Sequence, residues 1–302
     1  MNNFRSDLAK IINHFSPEDG FNESPLPGTH FIKLSHPNRR EKQHWCASLG
    51  IVAQGCKEII LGSEVYRFGG AHYIATPIDL PVTSRVFSAT PASPFLCLKI
   101  DFDLLVLHEV AVQLEKYFPT EKENHLRAVF IGKVSNQMLE AAIRLGKLFQ
   151  VPKDASVLGP LVIKEILYHL LKGADGPAIR QIVRSGSKMY KISQAIYALR
   201  SELSEEMDVA SLAKIANMSR SAFFKNFKET MAMSPIQYQK RLRLLEARRL
   251  MVDDGETAES SAFKVGYNSP SQFSREYSRM FGNSPLRDAV KIKERGNYIH
   301  QN

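Results

Sequence analysis

Basic side chains are concentrated in one stretch of this chain. Between Ser219 and Arg249 there are eight Lys or Arg residues and two Glu, a net charge of +6 within 31 residues. Duplex DNA carries roughly one negative charge per 1.7 Å of helix axis, so such a cluster attracts it strongly and in a salt-sensitive way. A guanidinium group can also read the O6 and N7 atoms of guanine through two parallel hydrogen bonds. The chemistry indicated is recognition of a nucleic acid.

The elements that must position these cations form a repeat. One helix-turn-helix pattern occurs twice at an offset of fifty residues, as Ser219, Phe223, Phe227 and Ser234-Pro235, and again as Ser269, Phe273, Tyr277 and Ser284-Pro285. Two short helices held at a fixed spacing can enter two successive stretches of the DNA major groove. The segment between the copies, 235–251, is predicted to be a basic helix.

Local signals give each copy its boundaries. In the first copy Asp208 suits a helix N-cap, Asn217 suits a turn that needs a left-handed backbone, and Ser219 caps the next helix. In the second copy Gly266 makes the turn and Pro270 takes the favoured first helical position, with Gly282 ending the helix. The aromatic pairs, four residues apart, are predicted to face the core.

These features resemble a known DNA-binding domain. Residues 208–290 resemble the AraC/XylS-type domain, in which two helix-turn-helix units are joined by a long helix. The resemblance lies in five segments, Leu212–Ser219, Ser234–Tyr238, Ala247–Met251, Val265–Tyr267 and Phe273–Tyr277. It implies a sequence-specific transcription regulator, more often an activator, whose partners are double-stranded promoter DNA and RNA polymerase.

The resemblance also implies which side chains meet DNA. Base-edge candidates are the exposed positions early in each recognition helix, namely Arg220, Ser221, Phe224, Lys225, Pro270, Ser271, Ser274 and Arg275. Lys225 and Arg275 are the strongest of these, because a cation there can reach guanine. Phosphate-backbone candidates are Ser219, Lys228, Lys240, Arg241, Ser269 and Arg279.

Three positions depart from the pattern of that family. Asn217 and Ala232 stand where glycines are usual, and both changes are structurally cheap. Ser261 stands where an apolar core residue is expected. The second unit is therefore expected to pack less tightly than the first.

The N-terminal part has a different pattern. Short apolar runs separated by Gly and Pro predict strands at Leu49–Ala53, Glu58–Leu61, Val65–Phe68, His72–Ala75, Val82–Ser88 and Phe95–Phe102. Gly62-Ser63 suits a tight hairpin between two of them. Residues 30–110 resemble the cupin-like β-barrel of one branch of the same regulators, which implies a small effector of unidentified chemistry. Trp45, Tyr66 and Tyr73 are aromatic residues that could line its interior.

The expected fold is α+β and multi-domain. We predict an N-terminal extension (1–29), a cupin-like barrel (30–110), a helical connector that could form a homodimer (111–188), and an all-α DNA-binding domain (189–295) with helix-turn-helix units at about 208–230 and 258–281. From Asp103 onward the pattern is helical, and helices are predicted to begin near Leu104 and Leu158. A stripe at Met138, Ala142, Leu145 and Phe149 predicts a further helix.

Catalytic function finds little support in the sequence. Metal-binding cupins use His-x-His, which does not occur here, and neither a nucleophile elbow nor a phosphate-binding loop is present. Cys46, Cys56 and Cys97 are too scattered for a disulfide framework or a paired zinc motif. We expect no enzyme, no cofactor and no metal. Two alternatives remain open: a cupin-type metalloenzyme with a DNA-binding tail, which metal analysis would reveal, and a non-specific architectural DNA binder, which a defined footprint would exclude.

Composition bounds the cellular setting. The chain has 302 residues, 44% of them hydrophobic, with a net charge of +9 and a pI of about 9.4. This length suits two domains, and the charge favours an anionic partner. Charged residues throughout 1–22 argue against a secretory signal, and no stretch of eighteen apolar residues occurs. We therefore expect a cytoplasmic protein without a membrane partner.

Overall fold

The N-terminal half is built on two antiparallel sheets. The structure is a computed structural model that describes residues 2–119 and 127–295. Its strands are β1 (Gly20–Glu23), β2 (Thr29–Leu34), β3 (Glu41–Trp45), β4 (Ser48–Gln54), β5 (Cys56–Leu61), β6 (Glu64–Gly69), β7 (His72–Thr76), β8 (Leu80–Ser88), β9 (Phe95–Asp101) and β10 (Phe130–Lys133). One sheet has the order β1-β2-β9-β4-β7-β10 and the other β3-β8-β5-β6.

All six predicted strands are confirmed, within two residues at each end. The hairpin between β5 and β6 is also confirmed, since Leu61 pairs with Glu64 across Gly62-Ser63. Gly62 has a φ of +61°, a backbone conformation that suits glycine. Strands β1, β2, β3 and β10 lie outside the predicted runs.

Five helices cover these sheets and connect them to the C-terminal half. They are α1 (Asn2–His14), α2 (Leu104–Tyr117), α3 (Asn136–Leu148), α4 (Pro152–Lys172) and α5 (Gly176–Arg180). The apolar stripe predicted on α3 is buried, as expected. The segment predicted as an extension contributes α1, which packs on α3 and β4, and β1, which pairs with β2. The predicted connector, 111–188, includes residues 120–126, which lie outside the described residues.

The C-terminal half is all-helical, as predicted. It contains α6 (Lys188–Ser201), α7 (Val209–Ile215), α8 (Arg220–Met231), α9 (Pro235–Val252), α10 (Ala258–Lys264), α11 (Pro270–Phe281) and α12 (Pro285–Arg295). Helix pairs α7–α8 and α10–α11 are the two helix-turn-helix units, and α9 joins them. No helix in the described ranges combines the length and apolarity that crossing a bilayer would require.

The core is divided unequally between the two units. A continuous cluster of buried hydrophobic residues runs from Leu8 to Leu242 and so includes the first unit together with the N-terminal half. A smaller cluster, from Leu244 to Ala289, belongs to the second unit. The first unit therefore shares its core with the sheets, whereas the second has a small core of its own.

Polar contacts reinforce the junction between the halves. The buried Tyr238 hydroxyl of α9 donates a hydrogen bond to the Asp79 carbonyl at 2.9 Å. The guanidinium of Arg200, on α6, forms an ion pair with the Asp79 carboxylate. Lys42, on β3, donates to the carbonyl of Met280 in the last turn of α11. A cation at this end of a helix also opposes the negative pole of the helix dipole.

Candidate nucleic-acid interface

The first recognition helix, α8, is fixed by its cap and by two aromatic residues. The Ser219 side chain accepts a hydrogen bond from the Ala222 amide at 3.3 Å, which fixes where the helix begins. Phe223 and Phe227 are fully buried, and Phe227 packs edge-on against Tyr238 at 5.5 Å between ring centroids. The orientation of the helix therefore leaves the other face in solvent.

Both turns of the first unit have the left-handed backbone that the sequence predicted at Asn217. Asn217 has a φ of +47°, and Ala232, which follows α8, has a φ of +52°. A residue with a Cβ atom is less comfortable in this region than glycine. The two departures from the family pattern thus preserve the backbone geometry at a small energetic cost.

The second recognition helix, α11, repeats this arrangement. The Ser269 side chain accepts from the Gln272 amide at 3.3 Å, and Pro270 is in the first turn. Phe273 and Tyr277 are buried with their ring centroids 5.4 Å apart. Gly282 ends the helix with a φ of +78°. The predicted caps, turns and inward faces of both units are confirmed.

The base-edge candidates lie on the outward faces of the two helices. Five of them are exposed (Arg220, Ser221, Lys225, Ser271 and Arg275), and three are partly exposed (Phe224, Pro270 and Ser274). The side chain of Lys225 is 75% exposed and stays 4.0 Å from Glu229, which is too loose a contact to immobilise it. Each recognition helix therefore presents an exposed cation in its first half, Lys225 on α8 and Arg275 on α11.

The backbone candidates fall into two groups. Ser219, Lys228 and Arg279 are exposed, whereas Lys240, Arg241 and Ser269 are partly buried. Lys240 forms an ion pair with Glu276 at 2.7 Å, and burial lowers the pKa of Arg241. To meet phosphate, Lys240 would have to give up its carboxylate partner.

Several cations of the basic stretch have structural partners instead. Arg243 donates to the carbonyls of Leu203, Ser204, Glu205 and Gly266, and so ties the segment before α7 to the second turn. Arg248 pairs with Asp288 at 2.8 Å, with 11% of its side chain exposed. Arg249 pairs with Glu246 and Asp254. Charge counting missed these roles, because it cannot tell which side of α9 a cation is on.

Ser261, which stands where an apolar core residue was expected, is an unsatisfied polar group in the described part of the second unit. Ser261 is fully buried on α10, and its hydroxyl has no hydrogen-bond partner among the described residues. The unit is held instead by a polar network in which the Tyr277 hydroxyl donates to Asp288 at 2.9 Å and Tyr267 donates to Glu276 at 2.8 Å. Polar bonds at the edge of the core thus supplement a small hydrophobic cluster.

The space inside the sheets is small. Inside the sheets, a cavity of about 30 Å³ is lined by Trp45, Phe95, Lys57 and their neighbours, room for about one water molecule. Burial lowers the pKa of Lys57 to about 8, and its ammonium lies 4.7 Å from the centre of the Trp45 ring. Tyr73 instead donates to Asp175 at 2.6 Å, and Tyr66 is only partly buried.

A larger cleft of about 520 Å³ opens between β3, α6, α9 and α10. Its cationic lining residues are Lys42, Arg200, Arg248, Arg249 and Lys264, and its acidic ones are Glu41 and Glu246. Leucine side chains from α9 form an apolar part of the wall. The cleft is of ordinary ligand-binding size, and more of its lining side chains are cationic than anionic.

Two family models match the chain. The model described as the AraC-type transcriptional regulator N-terminus matches residues 25–178, about half of the chain, and a helix-turn-helix domain model matches residues 212–288. The matched ranges agree with the two halves of the fold.

Curated relatives match the C-terminal part. The probable transcriptional regulator LumQ of Photobacterium leiognathi is 33% identical over 89 residues, which is 30% of this chain and 36% of that protein. The transcriptional activator RhaS of Pectobacterium carotovorum is 29% identical over 105 residues, 35% of this chain and 38% of that protein. The chain thus spans little more than a third of the length of these relatives.

A solved structure matches the whole architecture. Wild-type ToxT from Vibrio cholerae, solved with a bound unsaturated fatty acid, superposes with a TM-score of 0.57 over 91% of this chain and 96% of that chain. The sequence identity is 13%, so the likeness concerns the fold. It agrees with the predicted combination of a β-rich N-terminal domain and a helical DNA-binding domain.

Proposed function

Because this chain belongs to the AraC-type transcriptional regulators, we propose that it binds promoter DNA sequence-specifically through α8 and α11. The observation that supports this proposal most directly is the matched exposure of Lys225 and Arg275 on two helices whose opposite faces are locked by buried aromatic pairs. A helix in the major groove reads bases through such outward side chains near its beginning. Arg220, Ser221, Phe224, Pro270, Ser271 and Ser274 complete the proposed reading surface.

The phosphate contacts of this proposal come from exposed residues at the edges of the helices. Ser219, Lys228, Ser269 and Arg279 flank the reading surface and would set the register of the protein on the duplex. Lys240 and Arg241 are weaker candidates because of their burial and, for Lys240, its ion pair with Glu276. We also propose that the protein contacts RNA polymerase, which is the partner that an activator of this family would require.

The test is a pair of affinity measurements for each variant. A target is selected from random duplexes with the full chain, and binding to it and to a scrambled duplex is measured by fluorescence anisotropy. Lys225→Ala and Arg275→Ala are each expected to weaken binding to the target by ~1–3 kcal/mol while leaving binding to the scrambled duplex nearly unchanged.

A matched control is available on the same helix. Lys228→Ala, one turn further along α8, is expected to weaken binding to both duplexes alike and to lower the salt slope by about 1. Equal losses on both duplexes for Lys225→Ala and Arg275→Ala would refute the base-reading roles. A footprint without a defined boundary would support an architectural binder instead.

We further propose that an anionic, largely apolar small molecule binds in the cleft between the halves. Its lining combines five cations with leucine side chains, and it touches both domains. Four of the cations, Arg200, Arg248, Arg249 and Lys264, are paired with carboxylates, so the anion would have to compete with these carboxylates. A ligand that contacts both domains can favour one arrangement of them over another. The acid bound to ToxT, an unsaturated fatty acid, has this chemistry.

Oleate and its neutral analogue oleyl alcohol provide the test. Oleate at 100 times its dissociation constant should raise the free energy of unfolding by about 2.7 kcal/mol, whereas the alcohol, which lacks the charge, should do much less. Lys42→Gln should reduce the effect of oleate. Equal stabilisation by both compounds would argue against an anion site.

We also propose that helices α2 and α4 form the contact surface of a homodimer. On α2, Leu105 and Val112 are exposed, and on α4 so are Val157, Leu158 and Leu161. An ion pair between Glu109 and Lys164 joins the two exposed stripes, so they form one surface. In a two-fold contact the same patch of both copies meets, so this apolar surface would pack against its own copy. In sedimentation experiments Leu161→Glu should give monomers, and Val65→Glu, which changes an exposed valine on β6, should not.

A further inference from the structure

A histidine, a cysteine and an aspartate meet where β3 approaches the C-terminal half. His44 and Cys46 are two residues apart along one extended segment, so their side chains point to the same side. Asp79 directly precedes β8, and Trp45 pairs with Leu80 across the two strands. The donor atoms of the three side chains lie within 4.8 Å of one another.

The imidazole of His44 has an unusual environment. Its Nε2 atom is buried and has no hydrogen-bond partner among residues 2–119 and 127–295, and the nearest Asp79 oxygen is 3.9 Å away. A buried polar atom without a partner is costly, and such an atom calls for an explanation. A neutral imidazole presents such a nitrogen as a lone pair, which a metal ion can accept.

We propose that His44 Nε2, Cys46 Sγ and an Asp79 carboxylate oxygen bind a divalent zinc ion. Imidazole, thiolate and carboxylate are the three ligand types that Zn²⁺ uses in proteins. Ligands at ~2.0–2.3 Å from zinc lie roughly 3.5 Å from each other, so the cluster needs to contract by about 1 Å. The metal supplies the partner that the His44 nitrogen lacks.

The fourth coordination position faces an open route. His44 and Cys46 both line the cleft of about 520 Å³ between the halves. An ion can therefore enter from solvent, and a water molecule can complete the tetrahedron from the cleft side. The site lies outside the space enclosed by the sheets, where metal-binding cupins hold their ion.

Zinc competes with Arg200 for Asp79. The carboxylate of Asp79 at present accepts from the Ala47 amide at 2.7 Å and pairs with the Arg200 guanidinium on α6. A zinc ion takes one carboxylate oxygen and repels the guanidinium, so Arg200 has to leave. Binding of the metal therefore breaks one of the polar contacts that join α6 to the N-terminal domain. Removing the Arg200 guanidinium should therefore strengthen zinc binding, whereas removing one of the three ligands should weaken it.

The experiment uses the reduced, full-length chain after removal of metals with a chelator. Titration with Co²⁺ should produce a thiolate-to-cobalt charge-transfer band at one ion per chain, and Zn²⁺ should abolish it. Competition with a chromophoric chelator then measures zinc affinity. His44→Gln and Cys46→Ser should each weaken it at least tenfold, as expected for loss of a ligand.

Two further variants set the controls. Cys56→Ser removes another partly buried thiol on β5 and should bind zinc like the wild type. Arg200→Gln removes the competitor for Asp79 and should bind zinc several-fold more tightly. The proposal is overturned if the wild type gives no charge-transfer band, if Cys46→Ser binds as tightly as the wild type, or if Arg200→Gln binds more weakly. If a ligand variant does not fold, the presence or absence of the charge-transfer band in the wild type still tests whether Cys46 and its neighbours bind the metal.

Discussion

Replacing Ser261 by Ala should make the second helix-turn-helix unit more stable. The Ser261 side chain is fully buried on α10, and its Oγ atom has no hydrogen-bond partner in the described part of the chain. In the unfolded chain this hydroxyl is hydrated, so folding loses hydrogen bonds to water without replacing them. Alanine keeps the Cβ packing and removes the unsatisfied group.

The size of the effect follows from two contributions. Burying a hydroxyl without a partner costs ~1–3 kcal/mol in protein mutational data. Alanine also has a higher helix propensity than serine, by about 0.5 kcal/mol. The small space left by the oxygen offsets part of this gain. We therefore expect Ser261→Ala to raise the local stability of α10 and α11 by ~1–2 kcal/mol.

Amide hydrogen exchange measures this stability where it arises. A gain of 1–2 kcal/mol slows exchange through local opening by roughly 5–30-fold at the amides of α10 and α11. Ser260→Ala is the matched control, because it gives the same propensity gain but removes a hydroxyl that donates to Glu256 at 3.0 Å. If Ser261→Ala protected these amides no better than Ser260→Ala, the unsatisfied hydroxyl would not be the source of the instability.

Two further substitutions probe the junction and the sheets. A methyl group on Gly62 would lie 2.2 Å from the Ala232 carbonyl oxygen, whereas Gly255, with a similar positive φ, has open space around it. Gly62→Ala should therefore lower the free energy of unfolding by ~1–3 kcal/mol more than Gly255→Ala does. Hydrogen bonds from three arginines, Arg67, Arg40 and Arg85, lower the pKa of Glu58 from 4.5 to about 2. The stability that the Glu58 carboxylate contributes is present above pH 4.5 and is lost as the pH falls toward 2. Between pH 4.5 and 2 the urea midpoint of Glu58→Gln should therefore change less than that of the wild type.

Most of the strands that the sequence predicted carry an apolar pattern of their own, although β2, which buries Phe31, Ile32 and Leu34, was missed. Strands β4, β5, β7, β8 and β9 are rich in buried aliphatic residues, whereas β6 buries Phe68, and all six were found within two residues of their predicted positions. Strand β3, Glu41–Trp45, is polar over most of its length and is a strand because it pairs with β8. Such a strand is specified by its neighbour in the sheet, which a local pattern does not reveal.

Caps and turns of the DNA-binding units were predictable for a different reason. Each depends on one residue acting on backbone atoms close by in the chain, as with Ser219 and the Ala222 amide. The partners of the basic residues were not predictable, because they come from distant segments. Arg243 contacts carbonyls near residue 204, and Arg248 contacts Asp288 on α12. Charge counting therefore overestimates the cations of α9 that are available to DNA.

The contacts across the junction suggest how the N-terminal domain can influence DNA binding. The β5–β6 hairpin packs at Gly62 against Ala232, just after the first recognition helix, and Lys42 contacts the last turn of the second one. Between them, Tyr238 anchors α9 to the segment before β8. The N-terminal domain thus touches the end of each recognition helix and the helix that spaces them. A ligand or ion that alters the cleft beside Lys42 changes contacts to both helices together, and their spacing is what decides which DNA site fits.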